Sequence, residues 1–331
     1  MITVSSLLDD AWYARYKDIS KLNIRSSIYD VTNRCNLRCK GCFFFSSDEH
    51  LLDEEMKLSK WEEFIDREKE RGVNLAILIG GEPTLYMDRV DAFYKRIPTY
   101  CATNGQIKVP RDRFPDLMVG ISLWGDSDDE KILRGKDTFT TSLSNYEGDD
   151  YTYYLYTITP NRVGRIEPIV RRIREAGLKV HFQLLTNDED ADGFYWTQDK
   201  LDELQVEMDG MLDTYPETVI SSKYYHQIIC TGKMLDREWG WRECPSVTES
   251  LDTRNPKPKR LIHFIRWGAD LTTQHRCCTS ATRDCLTCKD GAAHMSWVMV
   301  NKRAHMRSTK DLQNWIEVYE MFAKLYQFIP W

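Results

Sequence analysis

No apolar run in this 331-residue chain approaches the ~18 residues that a bilayer-spanning helix needs. A membrane partner is therefore not expected. The opening Met1-Ile-Thr-Val-Ser-Ser6 lacks a charged n-region followed by an apolar stretch, so a secretory signal is not expected either and the reading is cytoplasmic. Internal repeats and low-complexity tracts are absent, which excludes solenoids and repeat arrays. Charge of one sign is not in large excess: 45 basic against 51 acidic residues leave a net charge of −6, against a uniformly basic nucleic-acid protein. Linker-like composition is confined to Leu251 to Arg260, with its Asn255-Pro-Lys-Pro-Lys-Arg260 core.

Cysteine is what the chain has. Cys35, Cys39 and Cys42, spaced C-x3-C-x2-C in Thr32-Asn-Arg-Cys-Asn-Leu-Arg-Cys-Lys-Gly-Cys42, close two tight loops and bring three thiolates round one point. Zinc sites usually pair C-x2-C with a second such pair or a His pair, and none follows within about twenty residues. A disulfide staple is not needed at a length that buries a sizeable core. The set reads as a clamp for an iron-sulfur cube with one iron left open.

The surroundings of the triad read as alternating strands and helices. Ser27 to Thr32 is a buried strand delivering the cysteine loop, and Phe43-Phe-Phe45 follows it. Asn74 to Ile79 is an apolar run of the kind found in parallel strands covered on both faces; it ends in Gly80-Gly81-Glu82-Pro83. Glycines there let backbone approach a ligand closely, and Glu82 can accept from an ammonium group. Further strands are read at Thr99 to Thr103, ended by Asn104-Gly105, and at Leu117 to Leu123, Tyr151 to Thr159 and Lys179 to Leu185. Helices are read at Leu58 to Arg71, Val90 to Ile97, Asp126 to Leu133 and Val163 to Ala176, the last with Gly177 as its C-cap. Beyond an acidic loop at Asp188 to Asp192, helices are expected over Leu201 to Thr214 and Asp311 to Phe328. Cys101 stands alone as a buried strand residue.

The cysteine spacing, the glycine turn after the second strand and the βα repeat together resemble the radical SAM family over about residues 25 to 190. The resemblance implies an α/β fold, a partial (β/α)6 TIM-like barrel with a C-terminal cysteine-rich extension. It places residues 1–24 as an N-terminal extension, 25–190 as the barrel and 191–331 as the auxiliary-cluster and substrate region. Cys35, Cys39 and Cys42 would hold a 4Fe-4S cluster whose open iron binds the amino and carboxylate groups of S-adenosylmethionine. Gly80, Gly81, Glu82 and Pro83 would contact the methionine amino group, and Thr103 and Ser122 inherit cofactor contacts, against the alternative of hydroxyls satisfied by backbone. Arg134 would meet the cofactor carboxylate or cap its helix. Arg38 and Lys40 would offset the charge of the cube or face solvent. The resemblance also implies a reductant such as flavodoxin or ferredoxin. Ligands in parallel βα architectures sit at the carboxyl ends of the strands, where all of these motifs fall.

A second cysteine group, Cys230, Cys244, Cys277, Cys278, Cys285 and Cys288, lies within 59 positions. Cys285-Leu-Thr-Cys288 is a chelating pair, and Trp267-Gly-Ala-Asp-Leu-Thr-Thr273 resembles the glycine turn of the small hairpin in SPASM and twitch extensions. One auxiliary 4Fe-4S cluster held by Cys244, Cys277 or Cys278, Cys285 and Cys288 is expected. The full SPASM pattern needs further cysteines, and none follows Cys288. Four thiolates also suit zinc.

For substrate, charge distribution is the guide. Between Arg254 and Lys310 stand twelve Lys or Arg and three Asp, a net of plus nine, in company with His263, His275, His294, His305, Trp267 and Trp297. Basic groups among aromatics suit phosphates and stacked bases; the alternative is a solvated basic face beside core tryptophans. The expectation is abstraction of hydrogen from an anionic small-molecule or nucleic-acid substrate, a nucleotide or base that is rearranged or otherwise modified, with the base flipped or single-stranded. A sugar or aminocyclitol and a ribosomal peptide are the alternatives. About 25 residues precede the first strand, too few for the peptide-binding domain many peptide maturases carry. A non-enzymatic iron-sulfur or zinc-binding interaction module leaves Gly80 to Pro83 and the βα repeat unexplained.

Overall fold

A computed structural model describes residues 3–46, 56–186, 195–232, 266–275 and 289–331. Six short apolar runs form strands β1 (Ser26–Asp30), β2 (Leu75–Ile79), β3 (Thr99–Thr103), β4 (Met118–Leu123), β5 (Thr152–Ile158) and β6 (Lys179–Leu184). They pair in sequence order, every neighbour parallel. The outer edge of β1 takes β7 (Arg266–Trp267) in parallel, and β7 turns back into β8 (Gln274–His275) antiparallel. One cavity is lined by side chains from all six parallel strands, so the sheet curves round it as a partial barrel.

Helices cover the outside. Before the barrel come α1 (Val4–Leu7) and α2 (Asp10–Lys21); within it come α3 (Phe43–Ser46), α4 (Leu58–Glu70), α5 (Met87–Tyr94), α6 (Ser127–Arg134), α7 (Thr138–Tyr146) and α8 (Glu167–Glu175). After it follow α9 (Gln198–Thr214), α10 (Lys223–Thr231), α11 (Gly291–Val300), α12 (Lys302–His305) and α13 (Thr309–Leu325). The apolar periodicity is spent on the sheet: α4 buries Trp61, Phe64, Ile65 and Glu68, and α8 buries Ile169, Val170 and Ile173. Asp126 starts α6 by accepting from the amides of Asp128 and Asp129 at 3.0 and 3.1 Å.

Differences from the sequence reading have local causes. The helix expected from Val90 begins at Met87, because Glu82 and Pro83 initiate a 3-10 turn that runs straight into it. The helix expected from Val163 begins at Glu167, because a 3-10 turn at Pro160–Arg162 and Gly164 at φ +79° use the preceding residues. Neither α7 nor the amino-terminal pair α1 and α2 was foreseen; short polar-rich helices carry little periodic signal. The loop at Asp188 to Asp192 and the stretch Leu251 to Arg260 lie outside the described residues.

The carboxyl-terminal helices close the base of the barrel. Tyr326, just past α13, packs edge-on to Tyr100 of β3 with ring centroids 5.2 Å apart, and Trp331 does the same to Tyr153 of β5 at 6.1 Å. Helix α13 is fastened to α2 through Tyr319 Oη, which donates to the Leu22 carbonyl at 2.9 Å.

Candidate active site

The cysteine loop and the glycine turn are one backbone construction. Past the end of β1, Val31 N donates to Ile79 O at 2.9 Å, Gly81 N to Thr32 O at 2.8 Å and Glu82 N to Arg34 O at 2.8 Å. The ladder of β1 and β2 thus continues into both loops. A β-carbon on Gly80, whose φ is +121°, would come within 2.7 Å of Thr32 O, and one on Gly81 would come within 2.1 Å of Arg34 O. The sequence reading gave these glycines close approach to a ligand; in the structure their close neighbour is the cysteine loop itself.

Glu82 is the hub of the turn. Its buried carboxylate accepts from Thr84 N at 3.0 Å, Thr84 Oγ1 at 2.6 Å, Thr103 Oγ1 at 2.7 Å and Asn104 N at 2.8 Å. Asn104 then donates from Nδ2 to Asn36 Oδ1 at 2.6 Å, inside the cysteine loop. Glu82 and Thr103 therefore join the ends of β2 and β3 to that loop, and both are already hydrogen-bonded within the chain. Pro83 is buried at the first position of the 3-10 turn.

Arg134 ends α6 with its guanidinium turned inward and 4% exposed. Nη1 donates to the Ser122 carbonyl and, at 3.2 Å, to Glu130 Oε2; the group also interacts with Cys39. Its Nε is buried without a hydrogen-bond partner. Glu130, fully buried, also accepts from Trp124 N at 2.6 Å and from Thr138 Oγ1. Burial raises its pKa, with Arg134 opposing the rise. Sequence reasoning missed Glu130, although a Glu four positions before an Arg on one helix face was visible.

Cys35, Cys39 and Cys42 are half-buried on the wall of the same cavity. Burial pushes the Cys35 thiol up to about 11, against the Leu37 amide that donates to its sulfur at 3.4 Å. Burial likewise raises Cys39, partly offset by Arg134. Among the described residues no three His, Cys, Asp or Glu side chains converge as donors to a single ion; the three thiols instead interact electrostatically round a shared space. That donor set, three sulfurs and an open side toward a cavity, fits a 4Fe-4S cluster. Arg38 is exposed, donates to the carbonyls of Cys35 and Leu37 at 3.2 and 3.0 Å and stacks 4.1 Å from the Phe45 ring; Lys40 is exposed.

The cavity has a volume of about 330 Å³. It brings together the cysteines, Gly80, Gly81, Glu82, Thr103, Ser122 and Arg134, while Tyr100 and Tyr326 form its base. Thr157 of β5 and Gln183 of β6 are register partners that face it side by side. Arg134 is the one cation among its described lining residues, and it is paired with Glu130.

Cys244, Cys277, Cys278, Cys285 and Cys288 lie outside the described residues. Cys230 is buried in α10, and Cys101 is buried in β3. The hairpin foreseen at Trp267 is present: Gly268 N donates to Thr273 O at 2.8 Å, and Asp270 accepts from the amides of Thr272 and Thr273. Arg266 meets Asp30 in a fully buried ion pair, Nε to Oδ1 at 3.1 Å and Nη2 to Oδ2 at 2.8 Å. Of the basic aromatic stretch, His294, His305 and Trp297 are core residues, as is Trp315 beyond it. Arg303, Arg307 and Lys310 are exposed. No described helix is long and apolar enough to cross a membrane.

The model of the Radical SAM superfamily matches residues 29–195. No curated protein matches the chain in sequence. Among solved structures, anSMEcpe with bound AdoMet and Cp18Cys peptide is similar at 15% identity and a TM-score of 0.53, covering 92% of this chain and 96% of that one. Streptococcus suis SuiB bound to precursor peptide SuiA is similar at 16% identity and a TM-score of 0.54, covering 82% of this chain and 63% of that one. A second SuiB structure, at 18% identity and a TM-score of 0.46, shares 61% of this chain and 50% of its own. The chain thus spans less than two thirds of SuiB. At these identities the likeness is one of fold.

Proposed function

The chain belongs to the Radical SAM superfamily, whose cofactors are a 4Fe-4S cluster and S-adenosylmethionine, and on that premise we propose that Cys35, Cys39 and Cys42 hold the cluster at the mouth of the barrel. When bound, cluster and S-adenosylmethionine supply a 5'-deoxyadenosyl radical that takes hydrogen from an unactivated carbon. The observation that carries this assignment is the shared cavity, in which the three thiols, Gly80, Gly81, Glu82, Ser122 and Arg134 face side chains from all six strands.

The residues of the chain divide the remaining work. Glu82, through Thr103 and Asn104, fixes the spacing of the cysteine loop from β3. Arg134 offers positive charge and a free Nε toward the cofactor carboxylate, beside Ser122, and is held in place by Glu130. The closed base and curved sheet exclude water and position the reacting carbon. An auxiliary cluster or zinc at Cys244, Cys277 or Cys278, Cys285 and Cys288, in the 191–331 region that follows the 25–190 barrel in the chain, completes the proposal. The reductant is a flavodoxin or ferredoxin, which fits a cytoplasmic site.

Thr157 and Gln183 offer a hydroxyl and an amide to the cavity side by side, which suits a neutral, hydrogen-bonding moiety of the substrate. Exposed positive charge for an anionic body lies at Arg303, Arg307 and Lys310, none of which lines the cavity. We therefore favour a nucleotide or base-bearing substrate whose neutral part enters the barrel and is rearranged or otherwise modified. A ribosomal peptide is the second reading, favoured by the fold likeness to two proteins solved with peptides. Anaerobically reconstituted protein with dithionite should convert S-adenosylmethionine to 5'-deoxyadenosine, and Cys39→Ala should abolish the product. Absence of 5'-deoxyadenosine from the parent protein sinks the proposal. Retention on phosphocellulose that collapses with added salt supports the anionic substrate, and salt-independent elution supports the peptide.

A further inference from the structure

A second constellation of reactive side chains lies on α9 and α10, among residues that do not line the cavity. The chain approaches it along the edge of β6, where Val180 N donates to Thr218 O at 2.9 Å and Ile220 N to Val180 O at 2.8 Å. Ser221 ends this strand-like segment, and Ser222 at once caps α10 by accepting from Tyr225 N at 3.1 Å. Ser221 thus stands at an abrupt strand-to-helix junction and is half-buried.

Its hydroxyl lies 2.6 Å from His226 Nε2, and His226 Nδ1 lies 2.7 Å from Asp209 Oδ1 on α9. An ionised carboxylate only accepts, so the ring proton sits on Nδ1 and the lone pair of Nε2 accepts from Ser221. His226 is fully enclosed, and that burial lowers its pKa against the pull of Asp209. A neutral imidazole in this tautomer is what a general base requires. The first-turn amides of α10 at Lys223 and Tyr224 have no acceptor within the helix and come two and three residues after Ser221 in the chain. Orphan first-turn amides of this kind are the donors that an oxyanion takes in acyl transfer.

We propose that Ser221, His226 and Asp209 form a second reactive centre, an acyl-transfer triad that takes an ester or thioester. Ser221 Oγ bonds to the acyl carbon as its proton passes to His226 Nε2. The bond to the alkoxide or thiolate leaving group breaks, and His226 returns the proton to that group. Water then adds in the same manner, releasing the carboxylic acid and the free serine. No electrons are exchanged, and the centre operates independently of the cluster.

The test is to treat the holoenzyme with an alkyl fluorophosphonate under anaerobic conditions and map the adduct by mass spectrometry. One equivalent at Ser221 is expected, lost in Ser221→Ala and slowed about 100-fold in His226→Gln. Asp209→Asn, at a partly exposed position, should slow labelling as well, and keeps the test decisive should the His226 variant not fold. p-Nitrophenyl acetate should give a burst of one nitrophenol per chain in the parent protein and none in Ser221→Ala. Labelling of Ser221 no faster than that of the exposed Ser308, or a rate unchanged in Asp209→Asn, overturns the proposal; a hydrogen-bond network that only ties α9 to α10 gives that result.

Discussion

At residue 81 a single methyl group decides whether the two halves of the site can meet, because it would lie 2.1 Å from the carbonyl oxygen of Arg34, a backbone atom with nowhere to go. Gly81→Ala should therefore push the turn away from the cysteine loop. The expected outcome is protein that folds but loses most iron at the first site after reconstitution, measured by iron analysis. At residue 82 the conflict is polar. Glu82→Gln puts an NH2 group among donors, leaving the Asn104 amide or a threonine hydroxyl unpaired at a cost of about 1–3 kcal/mol. Alkylation of Cys35, Cys39 and Cys42 in the cluster-free protein should become faster in that variant. The motif residues were visible in the sequence because their types and spacing are unusual. Their contacts within the chain were not, because what Gly81 touches depends on how the loop after β1 folds back, and nothing local to Gly80 to Pro83 records that.

Strands were legible as short continuous apolar runs, as in β2, and long helices wherever one face is apolar, as in α13 with Leu312, Trp315, Ile316 and Phe322 buried. Helix α11 shows the limit: it is buried nearly all round, so no stripe distinguishes it. The hairpin of β7 and β8 was legible from its glycine turn, but its attachment was not, since Asp30 and Arg266 are remote in the chain. That attachment rests on a fully buried pair, so removing one partner leaves an uncompensated charge. Arg266→Ala should lower the unfolding free energy by about 3–5 kcal/mol in denaturant titrations. Asp30→Asn combined with Arg266→Met should recover part of the loss, because it removes both charges together. A loss in the double variant as large as in the single one would mean that hairpin packing, rather than charge, holds this edge.

At the scale of the molecule, enclosed imidazoles set an acid limit, His181 and His294 most strongly among the described residues. His181 and His294 each bind a backbone carbonyl through Nδ1 and leave Nε2 without a partner, and burial pushes both down to about 4. Unfolded, they take up protons near their ordinary pKa of about 6.5. Between those values the unfolded chain binds more protons than the folded one, so stability rises with pH through this window and is lost on acidification from about 6.5 toward 4. Each contributes on the order of 3 kcal/mol across it, with no further change from either below 4. Urea titrations at pH 7 and pH 4.5 should show the drop, and a neutral replacement of His294 should flatten it.

The strand that covers the edge of β1 also carries a consequence in time. Asp30 and Arg266 are 236 residues apart. As the chain leaves the ribosome, β1 acquires β2 early, while its other side waits until most of the protein has been made. For that interval a row of unpaired amides and carbonyls stands open beside the cysteine loop, ready to accept a strand from another nascent chain. Strand β7 thus serves the first strand as a late-arriving shield, and slow or interrupted translation before residue 267 prolongs the period in which that edge is bare.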